Sequence, residues 1–274
     1  MENKKWTVAS VLGMLLVIVF AITCIAPFIY MILMSFTQST TLTLRLQDID
    51  FGDFSNFSHV FKKSGFFGAL KNSVIVVCCS CFFNCVVASM AAYGFEKKRF
   101  PGREKIYNLY VATMMVPGQV TMIPVFIIMK KLGLLNTYFS LIVLIINAFG
   151  VLLIRSFMAG VPDELLEAAK VDGCPEHKIF LNIVIPLIKP VLISLIVFTF
   201  VSSWNDFLWP LVSTTDSDMY TLTVALSLLK TQYATNTAWS WPVRLFPSSS
   251  PSSCMCSCRS SLWRVLRSVA LRVK

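Results

Sequence analysis

The chain has 274 residues, 56% of them hydrophobic and only 14% charged, and it carries a formal net charge of +10 at pH 7. Uncharged stretches longer than the roughly 18 to 20 residues that cross a hydrocarbon core recur along it, which excludes a soluble globule. Two histidines and no Gly-Lys-Ser or Gly-Lys-Thr loop leave neither a catalytic set nor a P-loop nucleotide site to expect.

In chain order, Lys4 and Lys5 precede an apolar segment from Thr7 to Phe36. It is too long for a cleaved signal peptide and lacks a small-residue cleavage site, so it reads as a retained first span. Phe51 to Leu70 places Phe51, Phe54, Phe57, Val60, Phe61, Phe66 and Phe67 among polar residues. That pattern predicts an amphipathic helix at the interface, better read as an anchor packed on the end of the bundle than as a contact for a binding protein. Four further spans follow, at Asn72 to Phe95, Ile106 to Met129, Leu132 to Ile154 and Pro190 to Val212. Lys97, Lys98, Arg99, Arg103 and Lys105 crowd the link after the second span, which assigns that link and the amino terminus to the cytoplasm. Counting onward puts residues 37–71, 130–136 and 213–236 outside and 160–186 inside.

The third span is interrupted in Met115-Val-Pro-Gly-Gln-Val-Thr-Met-Ile-Pro. Pro117 and Pro124 each remove a backbone hydrogen bond, which a transporter tolerates where protein or a water-filled cavity satisfies the freed groups. Gln119 and Thr121 are candidate polar contacts on a translocation path there, and a packing kink is the equal alternative. In the fifth span Asp206 follows Trp204 and Asn205. An ionisable group at membrane depth faces protein or water, so Asn205 and Asp206 either line the path or Asp206 braces a neighbouring helix at the membrane boundary, the reading slightly favoured. Cys24, Cys78, Cys79, Cys81 and Cys85 fall inside spans and are expected to act as small buried apolar residues. Cys254, Cys256 and Cys258 alternate in a spacing unsuited to zinc. No metal site is expected.

Between the last two spans the chain reads Asp163-Glu-Leu-Leu-Glu-Ala-Ala-Lys-Val-Asp-Gly-Cys-Pro-Glu-His. Pro162 suits a first helical turn and Gly173 a left-handed helix end, predicting one helix over Pro162 to Asp172 and a second running from Pro175 into the membrane. Glu164 and Glu167 share a face, and Ala168 and Ala169 offer a nearly side-chain-free surface for another protein's backbone. His177 belongs on its exposed side. An ordinary surface hairpin is the bland alternative.

Glu167, Ala168, Ala169, Gly173, Ile183 and Pro186 match the pattern of the cytoplasmic loop of ABC importer permeases, with Ile185 in place of the usual Leu. Leu70-Lys-Asn-Ser-Val, Met-Val-Pro, Gly133-Leu-Leu-Asn-Thr and Trp204-Asn-Asp-Phe-Leu-Trp-Pro-Leu narrow the likeness. Over residues 70 to 235 the chain resembles the second permease subunit of maltose-type carbohydrate importers. The resemblance implies an all-α membrane protein, a multi-span bundle of the type I ABC importer permease kind, with six spans in the intact family and five as written here. It implies a permease that moves a sugar or oligosaccharide across the plasma membrane by alternating access, with no ATPase site of its own. The implied partners are a related second permease, two ATP-binding subunits that use ATP and Mg, an extracytoplasmic sugar-binding protein and membrane lipid, without nucleic acid. Glu164, Glu167, Ala168, Ala169, Asp172, Gly173 and Pro186 are the implied coupling residues. A permease for glycerol phosphate or another small solute is the alternative, as is a non-transporting scaffold.

The expected organisation is therefore residues 1–36 as amino terminus and first span, 37–71 as an extracytoplasmic segment, 72–236 as the transmembrane core with the coupling loop at 160–186, and 237–274 as a tail. From Ala238 the composition shifts to Ser, Arg and Cys, and residues 244 to 274 hold six Lys or Arg and no acid. A basic tail resting on anionic lipid is one reading. Codons permitted for this stretch, read one base out of phase, restore an apolar span, so a one-base deletion near Asn236, in the gene or in its sequencing, is the expectation, with a truncated, non-functional permease as an alternative.

Overall fold

The computed structural model describes residues 8–37, 46–63 and 65–232. The segment 237–274, expected to be an out-of-frame tail, with Cys254, Cys256 and Cys258, lies outside them. Among the described residues the regular structure is helical, with one isolated antiparallel bridge between Thr37 and Ile49. They fall into two compact units, residues 8–66 with 226–232, and residues 67–225.

In the first unit α1 (Val8–Ser35) is apolar along its 28 residues, as a first span requires. Its last carbonyls lack helical partners, and Asn56 of α2 (Ser55–Lys63) supplies them, donating to Ser35 O at 3.1 Å and Thr37 O at 2.9 Å. Phe36 packs against the rings of Phe51, Phe54 and Phe57 at 5.5, 5.8 and 5.5 Å between centroids. The aromatic segment is thus an anchor on the end of α1. It is not one helix over 51–70, because Gly65 takes φ +61° and separates α2 from the next helix.

The second unit is built on α3 (Phe66–Lys97), 32 residues and so about 48 Å long. The three spans expected after it are broken. A helix α4 (Arg103–Ala112) with a 3-10 turn at Thr113–Met115 meets α5 (Gly118–Lys131) at 102°. Proline disfavours a helical residue before it; Val116 is accordingly extended (ψ 117°) and the chain turns there. Pro124, expected to interrupt, lies inside α5 without ending it. The fourth expected span divides into α6 (Tyr138–Val143) and α7 (Ala148–Met158), where Asn147 accepts the Phe149 N–H at 3.1 Å and caps α7.

Next come α8 (Asp163–Val171) and α9 (Glu176–Ile179), then a π-helical turn at Phe180–Val184 and the short α10 (Ile185–Leu187). The second helix of the loop therefore does not run straight on; it bends by 76° at Ile188 into α11 (Lys189–Asn205). The fifth span is also interrupted, because Asp206 is extended (ψ 127°) between α11 and α12 (Leu208–Ser213). The outer loop expected at 213–236 contains α13 (Leu222–Gln232). Among the described residues two unbroken helices, Leu12–Ser35 and Phe66–Lys97, are long and apolar enough to cross a bilayer, and the two bent pairs raise the number to four at most.

The core of this unit joins α3, α7, α8 and α11 through Ala88, Tyr93, Val151, Ile154, Leu166, Ala169 and Leu195. Gly150 sits where a Cβ would come within 3.0 Å of Ala88 Cβ and 3.3 Å of Leu195 Cδ1, the small-residue contact by which helices approach in apolar solvent. The cysteines expected to be buried are not. Cys78 is exposed, and Cys79, Cys81 and Cys85 are half-buried on α3, as is natural where lipid rather than protein covers an apolar face; Cys24 on α1 is exposed as well.

Candidate functional site

The loop pair α8–α9 owes its shape to a glycine. Gly173 has φ +74°, its N–H bonds to Lys170 O at 3.0 Å, and Cys174 N–H reaches back to Ala169 O at 3.0 Å. Those two bonds are the paired closure of a helix end that needs a left-handed residue. Leu166 and Ala169 are buried against the core, together with Val161 and Ile179. Ala169 is therefore not part of an outward alanine surface: three residues from Leu166, it shares the inward face of α8. The outward face carries Glu164, Leu165, Glu167, Ala168 and Val171, the last 88% exposed, followed by Asp172, His177, Leu181 and Pro186.

Charged contacts tie this pair to its neighbours. Lys97, the last residue of α3, has its side chain only 5% exposed and donates to Val161 O and Asp163 Oδ1, both at 2.6 Å. The Lys97 ammonium holds the exposed Asp163 carboxyl below its usual range. Glu176 accepts from Tyr93 Oη and pairs with Lys98. Beside them Arg155 of α7 bonds Glu96 at 2.9 Å and Glu104 at 2.8 Å, with its guanidinium 3.8 Å above the Tyr107 ring. Sequence reading used Lys97 and Lys98 only as topology markers and passed over Tyr93, Glu96, Arg155 and Glu176. A lone acid or base in a short polar link carries no signal of its partner.

The four expected path residues do come together. Gln119 and Thr121 of α5 line one cavity of about 420 Å³ with Asn205, Asp206, Phe207 and Trp209 at the α11–α12 break. Both helix breaks make it: Pro117 starts α5 at the cavity wall, and extended Asp206 opens the other side. Asp206 is half-buried, its backbone carbonyl accepts from Thr223 Oγ1 at 2.8 Å, and its carboxylate interacts with the backbone N–H groups of Trp209 and Phe207. It lines the cavity, and through that carbonyl ties the α11–α12 break to α13. Asn205 turns its amide nitrogen back to Val201 O at 2.8 Å, and Thr121 donates to Gly118 O at 3.0 Å. Among the described residues no three His, Cys, Asp or Glu gather as a metal site would need.

The motifs that carried the resemblance have structural work. Asn72 donates to Asp218 O at 2.7 Å and Tyr220 O at 3.0 Å and accepts from Tyr138 Oη at 2.6 Å, while Ser73 Oγ accepts the Leu222 N–H at 2.7 Å. Asn136, at φ +58°, accepts the Thr215 N–H at 2.6 Å and donates to Thr215 Oγ1 at 2.6 Å. Trp209 Nε1 donates to Ser140 O at 2.9 Å.

A helical membrane bundle with broken helices around a largely apolar cavity that holds a few polar groups, together with a glycine-closed polar helix pair, suits a transport permease. Residues 85–251 match the family described as the binding-protein-dependent transport system inner membrane component. The chain belongs to that family, and is accordingly an inner-membrane component of such a system. It is 34% identical to an arabinooligosaccharides transport system permease protein of Halalkalibacterium halodurans over 85% of this chain and 86% of that one. To the lactose transport system permease protein LacG of Rhizobium radiobacter it is 34% identical, with 77% of each covered. Its fold matches a chain in the crystal structure of a bacterial ABC transporter involved in the import of the acidic polysaccharide alginate, with a TM-score of 0.75 at 23% identity, covering 97% of this chain and 98% of that one. The family match continues past Asn236, so the comparisons lend the out-of-frame tail no support.

Proposed function

We propose that this chain is the permease subunit of an ATP-driven importer of a sugar or oligosaccharide, working by alternating access with a related second permease. In this reading the amino terminus and the α8–α9 pair face the cytoplasm. The outward face of α8, with Glu164, Glu167 and Ala168, docks on a separate ATPase that binds ATP and Mg, and Asp172, Gly173 and Pro186 hold the pair in docking shape. The cavity at Gln119, Thr121, Asn205 and Asp206 belongs to the translocation path. An extracytoplasmic binding protein delivers the solute.

The carrying observation is the pair itself: a rigid, glycine-closed helix with an exposed small and acidic face, seated on the buried core through Leu166 and Ala169. Such an element passes on force without doing chemistry. The cavity suits a neutral solute with both hydroxyl groups and apolar ring faces, because its lining sets amide, hydroxyl and carboxylate groups among aromatic and aliphatic side chains and holds no lysine or arginine. A phosphate-bearing solute such as glycerol phosphate finds no cation there. The relatives transport arabinooligosaccharides and lactose by their names, which agrees.

Purifying the assembled complex with its binding protein, and measuring which solutes stimulate ATP hydrolysis and enter proteoliposomes, tests the reading. Neutral oligosaccharides are expected to do both. Stimulation by glycerol phosphate and by no sugar would overturn the substrate class.

A further inference from the structure

The two ends of α3 grip two different parts of the second unit. At one end Lys97 reaches the chain just before α8 and the first residue of α8, bonding Val161 O and Asp163 Oδ1. One turn earlier Tyr93, itself buried, bonds Glu176 at the start of α9 and packs on Phe180 at 5.2 Å between ring centroids. Both halves of the loop pair are thus held by one face of α3. At the other end Asn72 and Ser73, both buried, hold the segment 218–222 by three hydrogen bonds to its backbone. Thr223, next in that segment, bonds the backbone carbonyl of Asp206 in the cavity wall. Between the two grips α3 is continuous helix with no proline in it, and the 25 steps from Asn72 to Lys97 span about 37 Å.

From this geometry we infer that α3 is the lever that carries movement of the α8–α9 pair to the cavity, with Lys97 and Tyr93 as positioning residues at the loop end and Asn72 and Ser73 at the cavity end. The inference rests on the reading of α8 as the ATPase-docking element and adds how the motion leaves it. A straight helix transmits displacement along its axis because every peptide is bonded within it, whereas the neighbouring spans are broken at Pro117, Asn147 and Asp206 and would flex. The ion pair and the buried backbone bonds are what make the ends move with the rod.

The test uses the full complex in proteoliposomes, with this chain, its partner permease, the ATPases and the binding protein, and reads solute taken up per ATP hydrolysed. Lys97→Met and Asn72→Ala are each expected to lower that ratio about tenfold, within the ordinary range of coupling between sites. Substitutions this far apart normally add; on a shared lever the double variant is expected to be no worse than the poorer single one. Lys97→Arg, which keeps a donor for Val161 O and Asp163, is expected to retain most of the ratio. If Lys97→Met fails to assemble, Tyr93→Phe, which loses only a hydroxyl, takes its place and is expected to fall in the same direction. Wild-type ratios in the single variants, or losses that add in the double, overturn the lever. Gly173→Val serves as the separate control. Normal coupling in that variant defeats the docking reading itself, whereas uncoupling there with normal ratios in the α3 variants defeats only the lever.

Discussion

The loop end and the cavity end of the second unit are held by different chemistry. Ion pairs cluster at the loop end, joining Lys97, Lys98, Arg103 and Arg155 to Asp163, Glu176, Glu96 and Glu104. The cavity end uses neutral groups: the amides of Asn72 and Asn136, the hydroxyls of Ser73 and Thr223 and the Trp209 indole, mostly bonded to backbone. Charged pairs are tolerable where water reaches at least one of the partners, and costly where it does not. Short neutral side chains can bind backbone at broken helix ends with little desolvation. The loop end therefore keeps its place by charge and a glycine turn, and the cavity end by crosslinks that survive beside apolar surroundings.

Breaking each end separately sharpens the contrast. The largest effect is expected from Gly173→Val, since a β-branched residue at φ +74° costs about 1–2 kcal/mol and skews α8 against α9. Solute uptake should be lost while the complex still forms, and sugar-stimulated ATP hydrolysis at the wild-type level would show that the turn has no coupling role. Next is Arg155→Met, which strands Glu96 and removes the contact with Tyr107, at a cost on the order of 2 kcal/mol. A thermal unfolding midpoint below wild type, not restored by Arg155→Lys because the fork geometry is lost, is the expected result.

At the cavity end, Asn136→Ala loses the bonds to Thr215 and Asp216 and the side chain best suited to φ +58°, for about 1–2 kcal/mol. High salt should shrink the Arg155 defect, because it screens the pairs that the variant lacks, and leave the Asn136 defect nearly unchanged; equal salt sensitivity would dissolve the contrast between the two ends. A smaller loss of uptake is expected from Asp206→Leu, with Asp206→Asn milder because an amide still bonds its neighbours; Leu at wild-type uptake would remove Asp206 from both path and brace. The smallest concerns pH. The Asp163 carboxyl is held below its usual range, so its contact with Lys97 is complete above about pH 4 and fades only as pH falls through the lowered value. The uptake ratio of Asp163→Asn to wild type should thus be flat over roughly pH 6 to 8, and a slope there would mean that another group sets it.

Much of this was legible before any fold was seen, for definable reasons. Gly173 and Pro162 announced the bounds of α8 through backbone preferences that act within a few residues, and α1 and the body of α3 followed from uninterrupted apolar sequence, although α3 begins at Phe66, inside the segment expected to lie at the interface. Gln119, Thr121, Asn205 and Asp206 stood out as polar residues near prolines or membrane depth, and the cavity gathers all four. What misled was continuity. The break at Val116 was announced by Pro117, but the segments 132–154 and 190–212 have the composition of spans, and there Asn147 and Asp206 leave the helix. Hydropathy weighs composition and is blind to a single extended residue. Ala169 was placed outward because two adjacent alanines look alike in sequence, though 100° apart on a helix they face different neighbours.

By itself, then, the sequence determined that the chain enters a membrane, that a polar helix pair closed by Gly173 sits between apolar segments, and that Gln119 and Thr121 stand beside a helix break. Those properties depend on side-chain transfer and on backbone preferences that are local. Only the tertiary structure decided that Gln119 and Asp206, 87 positions apart, share one cavity, that Lys97 and Tyr93 seize the two halves of the loop, and that Asn72 holds the segment 218–220. Such pairings follow from how helices pack in three dimensions, where a hydrogen bond between residues far apart in the chain leaves no trace in either one's neighbours.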